Sequence, residues 1–275
     1  MLLSKIKKHL FLTYVRLRQK NTIKKIYKTN DRLLRLILES FQKLKSGNFS
    51  SEEIKIFGKC ESYRSQLLEN DDLISFEVFN SKKKIKVKDV CKKATSPPYW
   101  GRLLYFITDL MKNPNFLEIG TNLGISGSYI LEAIKKKEKG KLITMEGVPM
   151  LSEISHKRFE EITSRKKFKL YNGLYIDTFP KLLKSKQYFN TVFIDGNHNK
   201  KSTLHYYEKL KSKLDFPAII IIDDINWSNG MKSAWNSIRN DSMVKFSIDF
   251  YKMGILIIDN KYHETKQHFN LFLTY

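Results

Sequence analysis

Five short clusters hold most of the chemistry this sequence can offer. Glu118-Ile119-Gly120-Thr121-Asn122-Leu123-Gly124-Ile125-Ser126 follows a short apolar run and opens an apolar-periodic segment. Its glycines let the backbone turn tightly and come close to a ligand, and a helix N-terminus offers unpaired N–H donors. A dinucleotide fingerprint would want glycine where Asn122 and Ile125 stand, so that motif is a poor match. Met145-Glu146-Gly147 places a carboxylate 26 residues after Gly120. Such a carboxylate can accept both hydroxyls of a ribose or simply face solvent. Asn172-Gly173 reads equally as a close backbone approach or as a plain turn.

The last two clusters are acidic. Phe193-Ile194-Asp195-Gly196-Asn197-His198 and Ile221-Ile222-Asp223-Asp224-Ile225-Asn226-Trp227 each follow an apolar run. Three carboxylates brought together repel unless a cation or protons compensate them, and oxygen-only ligands suit magnesium better than zinc. His198 stands three residues past Asp195, near enough to share a site, and an imidazole can accept a proton from a hydroxyl. The plain alternative is a loop histidine bonded to the backbone. His205 reads as a helix-surface residue. His9, His156, His263 and His268 have no acidic or cysteine neighbour at ligand spacing and receive no role.

The elements that must position these clusters follow from periodicity. After Pro114, apolar runs alternate with helical segments: 116–119 then 126–136, 142–145 then 151–163, 168–171 then 176–183. The order continues with 191–194 then 202–214, and 218–222 then 228–239. Alternation of this kind predicts a doubly wound parallel sheet, whose ligands sit beyond the carboxyl ends of the strands, where all five clusters lie. Runs 244–250 and 253–258 are separated only by Tyr251 and Lys252, too short for a crossover, so they predict an antiparallel hairpin. The expected fold class is therefore α/β, a Rossmann-like seven-stranded sheet of five parallel strands plus a closing hairpin.

Residues 1–112 read as a basic, mostly helical N-terminal cap, and 113–275 as the α/β domain. Leu33, Leu34, Ile37, Leu38, Phe41 and Leu44 recur at helical spacing behind Asn30 or Asp31 as cap. Ser50 and Glu53 have capping-box spacing ahead of a second helix that runs through Leu67 to Asn70-Asp71-Asp72. Pro97-Pro98 precede a third, Trp100 to Leu110, which Pro114 closes. The run Lys82 to Lys88 alternates lysine with apolar residues, as a half-exposed strand or loop would.

Composition narrows the class. The 275 residues are 41% apolar and carry a net charge of +22, of which +11 falls in residues 1–50. Disorder is thereby excluded, and a basic N-terminus is either a solvated helical surface or a contact for nucleic acid, an anionic membrane surface or an anionic substrate. Cys60 and Cys91, far apart, indicate neither a disulfide framework nor zinc and fit a reducing, cytoplasmic setting. Lysines and arginines interrupt the apolar residues of the first twenty positions too often for a signal peptide, and no apolar run reaches the length of a membrane span.

The ordered set LEIGTNLGIS, LITMEGVP, YNGLYIDTFP, FIDGNH and IIIDDINWSNGMKSAW resembles the class I S-adenosylmethionine-dependent methyltransferases. It is most similar to the metal-assisted O-methyltransferase group that includes the catechol and macrocin types, over about Ser96 to Ile258. The resemblance implies that Glu118, Gly120 and Gly124 wrap the methionine part of S-adenosylmethionine, with Thr121, Asn122 and Ser126 lining it. It further implies that Glu146, with Gly147 beside it, binds the ribose, and that Asn172 and Gly173 lie by the adenine. Asp195, Asp223 and Asp224 match the acids that hold Mg2+ or another divalent cation, and His198 matches the base. Where the catechol enzymes have asparagine after the second aspartate, this chain has Asp224. The implied reaction is methylation of a hydroxyl on a small molecule or sugar, with acceptor identity and homo-oligomer formation left open.

Three rivals stand beside this reading. An NAD-dependent enzyme is disfavoured by the absent glycines. A nucleic-acid-modifying methyltransferase is motivated by the basic N-terminus but lacks an Asn/Asp-Pro-Pro-aromatic motif after the fourth strand. A non-enzymatic binding module on the same fold is opposed by the acids at two strand ends. Tyr99 and Trp227 are candidates for an acceptor pocket, and Trp235 for the core.

Overall fold

A computed structural model describes residues 2–261 and 266–273, so His263 lies outside the described residues. The chain runs α1 (Leu2–Lys28), α2 (Arg32–Ser46), α3 (Ser51–Glu69), β1 (Leu73–Ser75), β2 (Lys84–Lys86), α4 (Val87–Ala94) and α5 (Pro98–Leu110). Strands and helices then alternate through β3 (Asn115–Ile119), α6 (Ile125–Ile134), β4 (Lys141–Glu146), α7 (Pro149–Ile162), β5 (Phe168–Asn172) and α8 (Tyr175–Lys184). The alternation continues with β6 (Phe189–Ile194), α9 (Lys200–Leu210), β7 (Leu214–Ile222) and α10 (Asn229–Arg239). The strands β8 (Val244–Asp249), β9 (Gly254–Ile258) and β10 (Gln267–Asn270) follow.

The larger sheet has eight strands in the order β10-β8-β9-β7-β6-β3-β4-β5. One more strand is present than the seven that periodicity predicts, because β10 pairs in parallel with β8. β10 is a four-residue edge strand with a single buried side chain, Phe269, and gives no alternation for a sequence reading to detect. β8 and β9 form the expected antiparallel hairpin, and β9 pairs antiparallel with β7. Two compact units divide the chain: residues 46–191 form one, and residues 1–45 with 192–275 form the other. The helical first 112 residues are thus shared between the two units.

In the 46–191 unit, β3, β4 and β5 pair in parallel. β3 and β4 are buried at every position but the first, as expected when helices cover both faces, whereas β5 at the sheet edge buries only Phe168. Every residue of α6 is buried, consistent with a helix packed on the sheet on one side and on further helices on the other. The predicted capping box of α3 is formed: Ser50 Oγ accepts from the Glu53 N–H and the Glu53 carboxylate accepts from the Ser50 N–H. The lysine run 82–88 splits into β2, which pairs antiparallel with β1, and the first turn of α4.

In the other unit, Asp31 Oδ1 accepts from the Leu34 N–H at 2.9 Å and starts α2. Leu34, Ile37, Leu38, Phe41 and Leu44 form its buried face. Residues Ile219 to Ile222 of β7 are fully buried. Trp235 packs in the core, as expected, and donates Nε1–H to Asp249. Trp227 is 75% exposed and Tyr99 46%. Among the described residues no helix is long and apolar enough to cross a membrane, and both cysteines are free and buried.

Candidate active site

The glycine-rich turn after β3 is built from backbone that favours glycine or asparagine. Gly120, Asn122 and Gly124 all have positive φ, 110°, 50° and 73°. At Gly124 a Cβ would stand 2.8 Å from Ser155 Cβ, so both conformation and packing exclude a larger residue. Gly120 and Thr121 donate their N–H groups to Met145 O, which ties the turn to the end of β4. Tyr63 OH donates to Leu123 O at 2.7 Å and Asn122 Nδ2 donates to Ala94 O at 2.7 Å, so residues before 112 fix the turn from outside.

Glu146, at the last position of β4, is 7% exposed. Its Oε2 accepts from the Asn122 N–H and its Oε1 from the Val148 N–H, each at 2.8 Å. Burial pushes its carboxyl above the usual range, while these N–H donors favour the ionised form. The carboxylate is therefore oriented before any ligand arrives, and each oxygen keeps a second lone pair. Gly147 beside it is buried, and a Cβ added there would meet Phe79 and Leu174 only at the distance of an ordinary contact.

Glu118, Thr121 and Ser126 are placed differently from a set of ligand-lining side chains. Glu118 is fully buried and accepts from Ser126 Oγ at 2.5 Å and from Thr144 Oγ1 at 2.7 Å. Thr144 Oγ1 also lies 2.5 Å from Thr121 Oγ1. These four side chains form one buried polar network that joins β3, β4, the turn and the first turn of α6. Burial pushes the Glu118 carboxyl up to about 7. Thr144 was missed by sequence reasoning, because a threonine inside a strand looks like any β-former.

Asn172, the last residue of β5, and Gly173 (φ 138°) after it line a groove of about 560 Å³ together with Thr178 and Lys181 of α8. A second groove, of about 620 Å³, is lined by Phe76, Val90, Lys93, Asn122 and Leu151 among others.

The acidic cluster lies in the other unit. His198 Nε2 stands 3.6 Å from Asp195 Oδ1, and His198 Nδ1 stands 3.9 Å from Asp224 Oδ2, so the structure brings the ring between two of the carboxylates. Asn197, His198 and Asp224 all have positive φ, and the Asn197 amide donates to Tyr206 OH at 2.8 Å. Asp223, 4% exposed, accepts from Lys252 Nζ through Oδ2 at 2.9 Å, and Asp224 accepts from the same ammonium through Oδ1 at 2.8 Å. Burial pushes the carboxyls of Asp195 and Asp223 up, the neighbouring carboxylates add to this, and Lys252 opposes it. Burial works against the Lys252 charge too, yet Asp223 and Asp224 outweigh it and hold the ammonium above its ordinary range.

The chemistry of the donor set suits a hard cation, and Asp223 Oδ1 is buried without a hydrogen-bond partner. The geometry does not. Lys252 takes one oxygen of Asp223 and one of Asp224, while the second Asp224 oxygen and Asp195 Oδ1 face His198. Among the described residues no group of three His, Cys, Asp or Glu side chains is placed to hold one metal ion. The three aspartates therefore do not fit the divalent cation that the sequence resemblance implies, because an ammonium already compensates two of them. Lys252 was legible in the sequence only as a residue of a tight hairpin turn.

Residues 117–225 match a family model described as a methyltransferase domain. The chain is 26% identical over 171 residues to a catechol O-methyltransferase of Niastella koreensis, covering 62% of this chain and 73% of that protein. An O-methyltransferase of Bacillus cereus solved with SAH aligns with a TM-score of 0.53 at 20% identity, over 61% of this chain and 84% of that one. Cofactor-bound Rv0187 from MTB aligns with a TM-score of 0.57 at 14% identity, over 80% and 95%. Residues 117–225 are thus similar to a methyltransferase domain, and the Rossmann-like α/β sheet is the fold of the solved neighbours. The named relative and the solved neighbour from Bacillus cereus are O-methyltransferases, and the chain is similar to both.

Proposed function

We propose that this enzyme transfers the methyl group of S-adenosylmethionine to a hydroxyl oxygen of a small molecule or sugar. The observation that supports the cofactor half is the arrangement at the ends of β3 and β4. There a left-handed turn and a buried, pre-oriented Glu146 are linked through the Asn122 N–H. Glu146 is assigned the ribose hydroxyls, the 120–124 turn the methionine part, and Asn172-Gly173 the adenine edge. The groove bordered by Asn122 and Leu151 has the size of a small-molecule site.

The sulfonium methyl is already strongly electrophilic, so the protein must align it with the acceptor oxygen and remove the hydroxyl proton. His198 is assigned the proton: its ring would become a cation facing the Asp195 and Asp224 carboxylates. No step is assigned to a metal.

Calorimetric titration with S-adenosylhomocysteine, with NAD as control, tests the reading. Binding of the first and not the second is expected. Glu146→Ala should weaken S-adenosylhomocysteine binding roughly 10- to 100-fold, the worth of charged hydrogen bonds to two hydroxyls. Equal affinity in the variant would remove Glu146 from the site, and no binding by the unmodified protein would favour a non-enzymatic module.

A further inference from the structure

We propose that Lys252 is the resident cation of the acidic cluster: its ammonium takes the role of the divalent metal that the sequence resemblance implies, and the site operates without one. The inference rests on the methyltransferase reading above and departs from that implied metal assistance. Three observations carry it.

The first is geometric. Lys252 Nζ bridges Asp223 Oδ2 and Asp224 Oδ1 at 2.9 and 2.8 Å, distances of strong charged hydrogen bonds. One compact charge thus satisfies carboxylates from consecutive positions, which is what a cation between them would do.

The second is that the lysine is anchored rather than reaching in from a flexible surface. Its carbonyl accepts from the Ile225 N–H at 3.0 Å, directly after the two aspartates, and Asn226 Nδ2 donates to the neighbouring Tyr251 carbonyl at 2.7 Å. Asp249 accepts from the Tyr251 N–H and from Trp235 Nε1, which pins the other side of the turn. The β7–β9 register, with Ile222 opposite Gly254, brings the hairpin turn to the carboxyl end of β7. The ammonium is therefore preorganised by backbone on both strands, and the side chain is only 25% exposed.

The third is steric. A cation that bound all three aspartates would have to displace this ammonium, leaving a partly buried Lys252 without its partners at substantial cost. The extra carboxylate of Asp224, where the catechol enzymes have asparagine, supplies the charge that the lysine takes up.

The test is a titration of the metal-stripped full chain with Mn2+, followed by electron paramagnetic resonance of the free ion and by thermal melting. S-adenosylhomocysteine binding is measured on the same samples. The unmodified protein should bind no stoichiometric Mn2+, and its melting temperature should not move. Lys252→Met, which keeps the apolar stem and removes the charge, should gain Mn2+ affinity by at least ~10-fold, because three carboxylates are then left uncompensated. Stoichiometric Mn2+ binding by the unmodified protein would overturn the proposal while leaving the methyltransferase reading intact if S-adenosylhomocysteine still binds. A folded Lys252→Met that binds S-adenosylhomocysteine but no Mn2+ would also overturn it. If that variant does not fold, the measurements on the unmodified protein decide. Loss of S-adenosylhomocysteine binding by the unmodified protein would instead sink the methyltransferase reading, whatever the Mn2+ result.

Discussion

Glu118 connects the interior of the fold to pH. Its carboxyl is fully buried and lies at about 7, against 4.5 for the free side chain. A raised folded-state value means that the folded protein binds the proton more tightly than the unfolded chain. The stability this contributes is complete below about 4.5 and is lost as pH rises toward 7. The shift corresponds to on the order of 3 kcal/mol. Glu118→Gln, which keeps the shape and removes the titration, should flatten the fall of melting temperature between those pH values. An unchanged profile would show that the network with Ser126 and Thr144 does not control it. At the other cluster, the assigned base predicts that His198→Gln lowers kcat by at least ~100-fold. S-adenosylhomocysteine affinity should stay unchanged. A parallel loss of affinity would mean that His198 organises its loop and does not take the proton.

At the scale of elements, helix packing is decided by residues too small to attract attention. A Cβ on Gly101 of α5 would stand 2.5 Å from the ring of Tyr129 on α6. That ring cannot swing away freely, because Tyr129 OH donates to Glu61 Oε1 at 2.7 Å. Gly101→Ala is expected to cost about 1–3 kcal/mol by denaturant unfolding, the usual penalty for overpacking. Gly58, exposed in α3 with nothing within 4 Å of its would-be Cβ, is the control. Gly58→Ala should stabilise by about 0.5–1 kcal/mol through helix propensity. Equal effects at the two glycines would refute the packing account. The hairpin β8–β9 shows the same dependence on context: as a sequence it is two apolar runs and a two-residue gap, yet it delivers Lys252 to the aspartates.

At the scale of the whole molecule the dominant property is charge. With a net +22, the protein should bind duplex DNA, RNA or heparin at low ionic strength, and the affinity should fall steeply between about 50 and 200 mM salt. No methyl group should pass from labelled S-adenosylmethionine to the nucleic acid. Salt-resistant binding with methyl transfer would restore the nucleic-acid reading that the basic N-terminus motivates.

The sequence by itself determined the alternation of strands and helices, the closing hairpin, and the positions of all five clusters at strand ends. Those features rest on local periodicity and turn chemistry, which a chain displays without being folded. It also determined the α3 capping box, since Ser50 and Glu53 interact within one turn. It did not determine β10, whose four residues take strand form only through pairing with β8. Nor could it show that Thr121 and Ser126 turn inward to Glu118 and Thr144, or that Lys252 reaches Asp223 and Asp224 from about 28 residues away. Residue type reveals that carboxylates need compensation. Which group compensates them, a metal ion, a proton or an ammonium, is set by long-range register, and only the tertiary structure decided it.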